Sequence, residues 1–239
     1  MNGTSEGKRT SPWVYVAVGC SIPLLLIAIL FGATLFWGYR FSKHLREDTP
    51  EIRAENVKQV LGCREIPEGY YATMTLSIPF VVDLAILSDR PPDFKEKRQQ
   101  KPFDKQGFIY VNAIRGRKGR TLRDYIEGKA DASELLDQGM HVEMGDREEI
   151  GRGSFPLENA TAYYAANRGS IMADRQALRG LVSLIYFECP GDRRFRMGVW
   201  FGPDPKAGQP LGSAADYAGT QADEAKIREF ASQFAPCAR

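Results

Sequence analysis

The sequence predicts an α+β protein: a mainly antiparallel sheet sandwiched with helices and preceded by one transmembrane helix. Three observations predict it. Trp13–Gly38 (WVYVAVGCSIPLLLIAILFGATLFWG) runs through 26 residues without a charged side chain. Several later segments alternate apolar and polar residues with a period of two, the pattern of a half-buried strand. Others open on Thr, Asp or Pro and then place apolar residues at helical spacing.

The first of these sets the organisation. At about 1.5 Å of rise per residue, twenty of the 26 cover the roughly 30 Å hydrocarbon core, so a lipid bilayer is the expected partner. Trp13 and Tyr15 stand at one end and Trp37 and Tyr39 at the other, where interfacial aromatic anchors sit. A secretory core of about 7–15 apolar residues would be shorter, which makes this an uncleaved signal anchor. Val18-Gly19-Cys20 offers a competing lipoprotein cleavage site, but the remnant left by that cut would itself still span. Pro23 is a kink of the kind tolerated in lipid. The chain therefore divides into a polar tail (1–12), the span (13–38), a connector with a short helix (39–69) and an α+β globular domain (70–239).

Orientation pulls two ways. Lys8 and Arg9 precede the span and Arg40, Lys43 and Arg46 follow it, a margin of one charge that assigns the C-terminal part to the cytoplasm. The length of that part and its cysteines point outward, since large domains translocate largely regardless of charge and disulfides persist in oxidising compartments. An extracytoplasmic domain on a single-pass membrane protein is the expected localisation. Cys189 ends a predicted strand and Cys237 follows the last helix, so these two are the candidate disulfide; unpaired thiols, together with Cys63, are the alternative.

From Thr49 onward Lys+Arg and Asp+Glu balance, 32 − 5 = 27 against 30 − 3 = 27, so the net charge of +2 belongs to the flanks of the span. A neutral domain excludes nucleic acid as an expected partner, because phosphate binding requires a basic excess. The distribution is uneven: Arg90–Arg123 holds eleven basic residues to three acidic, and Asp124–Asp174 eleven acidic to four basic.

Within the connector, Thr49-Pro50-Glu51 opens a helix with Ile52, Val57, Val60 and Leu61 on its apolar side and Gly62 as its stop. Tyr70, Ala72, Met74, Leu76 and Ile78 then form one side of a strand; Pro79 interrupts it, and Phe80–Leu87 continues as an apolar run containing Asp83. Asp83 reads as a hydrogen-bonded structural acid or, with a partner, a catalytic one. Arg90–Gln106 is a Pro-rich charged loop and Gly107–Ile114 a strand. The basic turn that follows supplies a candidate anion-binding surface of Arg115, Arg117, Lys118, Arg120 and Arg123, suited to phosphates or carboxylates, with a solvated turn as the plainer reading. Thr121 caps a helix with Asp124 at the capping-box position and Gly128 as its stop. Ala132–Gln138 adds a helical turn or two. Glu143–Glu149 is an exposed acidic hairpin, Leu157–Ala165 a strand, and Leu181–Cys189 with Phe195–Phe201 a hairpin about Pro190-Gly191-Asp192. In that hairpin Phe195, Met197, Val199 and Phe201 point one way and Arg194, Arg196 and Trp200 the other, with Trp200 expected to stack against cations. After the Pro/Gly/Ala-rich loop 202–219, a last helix starts at Thr220 and shows Ile227, Phe230, Ala231 and Phe234 on one side.

No zinc spacing, calcium loop or phosphate-binding glycine motif is written in the sequence, so no metal or cofactor is expected. The order Phe108–Ile114, Thr121–Tyr125, Leu157–Tyr164, the 181–201 hairpin and the Phe230/Phe234 helix resembles the PsbP/Mog1-like fold over about Tyr70–Arg239. It departs from that pattern at Glu158-Asn159-Ala160, where members often carry Asn-Gly. The resemblance implies a non-enzymatic binding or assembly role, with a protein or anionic partner. Two alternatives stand beside it: a membrane-tethered enzyme whose site is assembled from scattered residues such as Asp83, His141 and Glu143, and a cytoplasmic-facing scaffold docking on anionic lipid through residues 90–123.

Overall fold

The structure is a computed structural model and describes residues 49–91, 103–114, 118–130, 148–173, 176–192 and 194–238. Trp13–Gly38, with Trp13, Tyr15, Trp37 and Tyr39, lies outside them, as do the 132–138 segment, His141 and Glu143. Among the described residues no helix is long and apolar enough to cross a membrane. Residues 49–239 form a compact unit of their own, separate from 1–48.

That unit is a seven-stranded antiparallel sheet carrying helices on its faces. Its strands are β1 (Tyr71–Ile78), β2 (Val82–Ser88), β3 (Gly107–Ile114), β4 (Glu148–Pro156), β5 (Thr161–Ala173), β6 (Gln176–Glu188) and β7 (Arg194–Gly202). They lie in the order β1-β2-β3-β7-β6-β5-β4, so two meanders meet where β3 pairs with the last strand.

Among the described residues there are three α-helices, two of them opened by a side-chain cap. Helix α1 (Pro50–Leu61) begins at Thr49, whose Oγ1 accepts from the Ile52 amide, and ends at Gly62, whose φ of +68 suits a residue without Cβ. Its buried positions are Arg53, Val57, Val60 and Leu61, whereas Ile52, expected on the apolar side, is exposed. The i, i+4, i+7 spacing from 53 carries the contact, and Ile52 falls off that stripe. Helix α2 spans Lys118–Ile126, so Thr121 is not its cap: it sits a turn inside and is buried. Helix α3 (Glu224–Ala231) starts at Asp223, whose Oδ1 accepts from the Ala225 amide at 3.1 Å. Thr220 instead closes the preceding turn, its hydroxyl donating to the Tyr217 carbonyl.

Alternation divides the sheet's side chains into two faces. One carries Ala85, Leu87, Phe108, Tyr110, Ile185, Phe187 and Trp200, and is covered by Val57, Val60 and Leu61 of α1 and Ile227, Phe230 and Phe234 of α3. Among the described residues no cation stacks on Trp200. It lies flat on Phe230, ring centroids 4.2 Å apart, and its Nε1 donates to the Tyr70 hydroxyl at 2.7 Å. Gly198 makes this possible at the next position of the same face, because a Cβ there would come within 2.5 Å of the Phe108 ring. The opposite face is covered over β5, β6 and β7, where Leu122, Tyr125 and Ile126 of α2 meet Val182, Leu184, Tyr186, Met197 and Val199.

Several strand boundaries differ from the sequence reading: β2 starts at Val82 rather than Phe80, β5 runs on to Ala173 and β6 starts at Gln176 rather than Leu181. Residues 157–160 are the β4–β5 turn and not the start of a strand, the Leu157 amide bonding to the Ala160 carbonyl. β4 reaches to Pro156 although Phe155 is its one fully buried residue, so its Gly- and Ser-containing sequence shows no alternation to read.

Candidate functional site

β1 contains a bulge between Ala72 and Met74. Ala72 pairs with Leu87 on the helix-covered face, but Met74 pairs with Ile86, Leu76 with Leu84 and Ile78 with Val82, all on the other face. The expected single side Tyr70/Ala72/Met74/Leu76/Ile78 is therefore split, because one extra residue reverses every side chain after it.

The consequence is an apolar face left open. Met74, Leu76 and Ile78 of β1 adjoin Val82, Leu84 and Ile86 of β2, which adjoin Ile109, Val111 and Ala113 of β3. Every side chain in this three-by-three array is apolar, and none is fully buried. Across β3 the neighbours Val199, Met197 and Phe195 are buried on the α2 side, and Ile86 and Ile109 still pack against that cluster, whereas at the edge Met74 is 43% and Ile78 36% exposed. A sheet face turned to water ordinarily alternates to polar residues.

The array continues into the β1–β2 turn. Ile78 and Val82 pair, and Pro79-Phe80-Val81 closes the hairpin, the Val81 amide donating to the Ile78 carbonyl and the Ile114 amide to the Val81 carbonyl. Phe80 is 86% exposed and Val81 52%; Ile114, 66% exposed, falls by alternation on the other face with Asn112. Phe80 also has a φ of +65, the one described non-glycine residue in the left-handed region. That conformation costs an L-residue roughly 1–2 kcal/mol, and glycine is the usual occupant.

Behind the same corner, on the helix-covered face, runs a polar row. The Ser77 hydroxyl donates to Asp83, Asn112 Nδ2 donates to Asp83 Oδ2 at 3.2 Å, and Arg194 Nη1 stands 3.8 Å from the same oxygen. Asn112 pairs in register with Arg196, whose guanidinium is wholly buried and donates through Nη2 to Asp192 Oδ2 at 2.5 Å. Asp83 is thus a hydrogen-bonded acid of the sheet, holding the β1–β2 corner to β3.

Of the candidate anion-binding surface, only part falls among the described residues. Arg115 and Arg117 lie outside the described residues, Lys118 is the first residue of α2, and Arg120 is exposed. Arg123 is engaged: its Nε bonds Glu127 at 2.9 Å, its Nη1 bonds Glu188 at 2.9 Å, and its guanidinium lies 4.9 Å over the Tyr163 ring. The Glu127 bond raises its pKa further, while Lys129 and Arg123 together hold the Glu127 carboxyl below its ordinary range.

Cys189 and Cys237 are joined by a disulfide, Cα atoms 5.6 Å apart, which ties the segment after α3 to the β6–β7 turn. Cys63 is free and buried, and burial pushes its thiol up to about 11. Burial, reinforced by the bond its hydroxyl donates to Glu224 at 2.8 Å, also pushes Tyr164 well above the usual phenol range.

No protein-family model and no curated protein matches this chain. Function must therefore be read from its own surface. Arg168, which no sequence pattern singles out, grips the 203–217 loop: it donates to the Gln209 carbonyl at 2.7 Å, the Lys206 carbonyl at 3.1 Å and the Tyr217 hydroxyl at 2.6 Å, and pairs with Asp204 at 2.9 Å. These partners and Glu148, which Arg168 also meets at 3.2 Å, all lie far from it along the chain and so leave no local signal. Among the described residues no group of three or more His, Cys, Asp or Glu side chains gathers as a metal site.

Proposed function

We propose that this is a single-pass membrane protein, anchored by Trp13–Gly38, that presents residues 70–239 as a non-catalytic binding or assembly domain of the PsbP/Mog1-like type. The observation that carries the reading is the 26-residue stretch without a charge, flanked by aromatic and basic residues. The Cys189–Cys237 disulfide supports the extracytoplasmic orientation, because such bonds persist in oxidising compartments.

Alkaline carbonate extraction of membranes tests the anchor. The chain remains with the lipid, and a Leu26→Arg/Ile29→Arg variant is released, since each arginine near the centre of a span costs about 2.5–3.5 kcal/mol of insertion. Release of the parent chain refutes the anchor. Protease added to right-side-out vesicles tests the orientation: the domain is digested while a lumenal control survives, and a protected domain reverses the topology.

A further inference from the structure

We propose that two copies of this chain associate through β1, their Met74–Ile78 edges pairing antiparallel about a two-fold axis centred on Leu76 and joining the two sheets. The inference goes beyond the anchored reading and stands without it, because every residue it uses lies in the domain.

β1 and β4 are the outer strands of the sheet, and they are built differently. β4 is defended against an added strand: Glu148 and Glu149 are exposed, a bulge lies between Glu149 and Gly151, Arg152 pairs with Glu149, and Pro156 has no amide to donate. β1 (YATMTLSI) contains no charged residue, no proline and no glycine. Its one irregularity, the bulge between Ala72 and Met74, stands near its start and leaves Met74–Ile78 regular. Among the described residues β2 is the only strand beside it, so alternate N–H and C=O groups of Met74–Ile78 point away from the sheet. Such an edge is a template for a further strand.

The residues on this edge select a second copy, in one register. Opposed about Leu76, Met74 faces Ile78 and Leu76 faces itself on the open face, while Thr75 faces Ser77 on the helix-covered face. A slip of one residue sets apolar side chains against hydroxyls, and a slip of two draws the bulge or the Pro79 turn into the ladder. With no charge on β1, the two-fold brings no like charges together, whereas a charged foreign segment finds no counter-charge there. Head-to-tail pairing of β1 with β4, which builds an open filament, meets the acids and Pro156 of β4; two-fold pairing closes and uses up the edge. Met74 and Ile78, the two most exposed members of the apolar array on β1, are the pair brought together across the axis.

The test uses the full chain in a Cys63→Ala background, in non-ionic detergent and in vesicles, with one added cysteine at a time. Under mild oxidation Leu76→Cys forms a covalent dimer at least about tenfold faster than Met74→Cys or Ile78→Cys alone. Facing Cβ atoms lie about 4.5–5.5 Å apart, whereas two Met74 residues stand four residues, or about 13 Å, apart along the strands. Mixing Met74→Cys chains with Ile78→Cys chains restores rapid cross-linking. Leu76→Lys, which sets two ammonium groups face to face, lowers the mass from light scattering from two chains to one without changing the near-UV circular dichroism. If that variant fails to fold, the cysteine series decides by itself. A parent chain of single-chain mass overturns the proposal, and so does a two-chain mass in which all three cysteine variants cross-link at the same rate. Flotation with the vesicles reports the anchor separately, and a chain that fails to float while keeping the Leu76 preference refutes the anchor and not the pairing.

Discussion

Removing the disulfide gives the sharpest check on how the domain is closed. Cys189 and Cys237 are 48 residues apart, and the bond between them shuts a loop holding β7, the 203–217 loop and α3. In the chain-entropy treatment a loop of this size restricts the unfolded ensemble by about 14 cal/mol/K, which is about 4 kcal/mol at 25 °C. That is a large share of the roughly 5–15 kcal/mol by which a domain is stable. The Cys189→Ala/Cys237→Ala variant should therefore lose about 4 kcal/mol in urea unfolding of the reconstituted chain, followed by tryptophan fluorescence. Cys237→Ala alone should lose about as much, and the parent in reductant should approach the variants. Trp200 is a suitable reporter because it stacks on Phe230 of the helix inside the closed loop. A double variant within about 1 kcal/mol of the oxidised parent would falsify the loop-closure argument.

Phe230 is 4% exposed and touches Trp200, Phe108, Phe234 and Tyr70, so Phe230→Ala should cost about 3–5 kcal/mol while Phe230→Leu, which keeps most of the volume, costs less than about 1.5. Equal losses on chemical denaturation would show that ring stacking is not what α3 contributes. Cys63 holds its proton to about pH 11 when folded but loses it near 8.5 when unfolded, so the folded state binds more protons between those values. Stability from this group is complete below about pH 8.5 and falls as pH rises toward 11, and Cys63→Ala should flatten the loss measured from pH 8 to 10. Phe80→Gly should stabilise the fold by about 1–2 kcal/mol by relieving the positive φ, and a destabilised variant in the same melt would mean that the Phe80 ring packs usefully in the folded state.

Much of the sheet was legible because its strands keep a period of two where both faces matter. Gly107–Ile114 read correctly, the 181–201 hairpin did so except that β6 starts at Gln176, and Phe195, Met197, Val199 and Phe201 do share one face, since each residue there is committed to a layer of apolar neighbours. β4 was not legible: an edge strand with one buried residue has little pattern to show. Helix starts were misread at Thr121 and Thr220 for a common reason. A threonine that bonds a nearby carbonyl or sits inside a turn has the same local sequence as one that caps a helix, and what lies three residues upstream decides between them.

The open face escaped the sequence for a more specific reason. Alternation along β1 predicts that Met74, Leu76 and Ile78 follow Ala72 inward, and in a regular strand they would. Thr73 occupies the bulge, and after it Thr75 and Ser77 turn toward the helix-covered side while the three apolar residues turn outward. The bulge serves both faces at once. It gives Ser77 to Asp83, completing the polar row that fastens the β1–β2 corner, and it lines up the third rank of the apolar array. An edge strand with its hydrophobic residues turned to water is a liability for a freely diffusing domain. It becomes intelligible when that surface has a permanent neighbour, which would give the exposed apolar residues the cover the fold itself withholds.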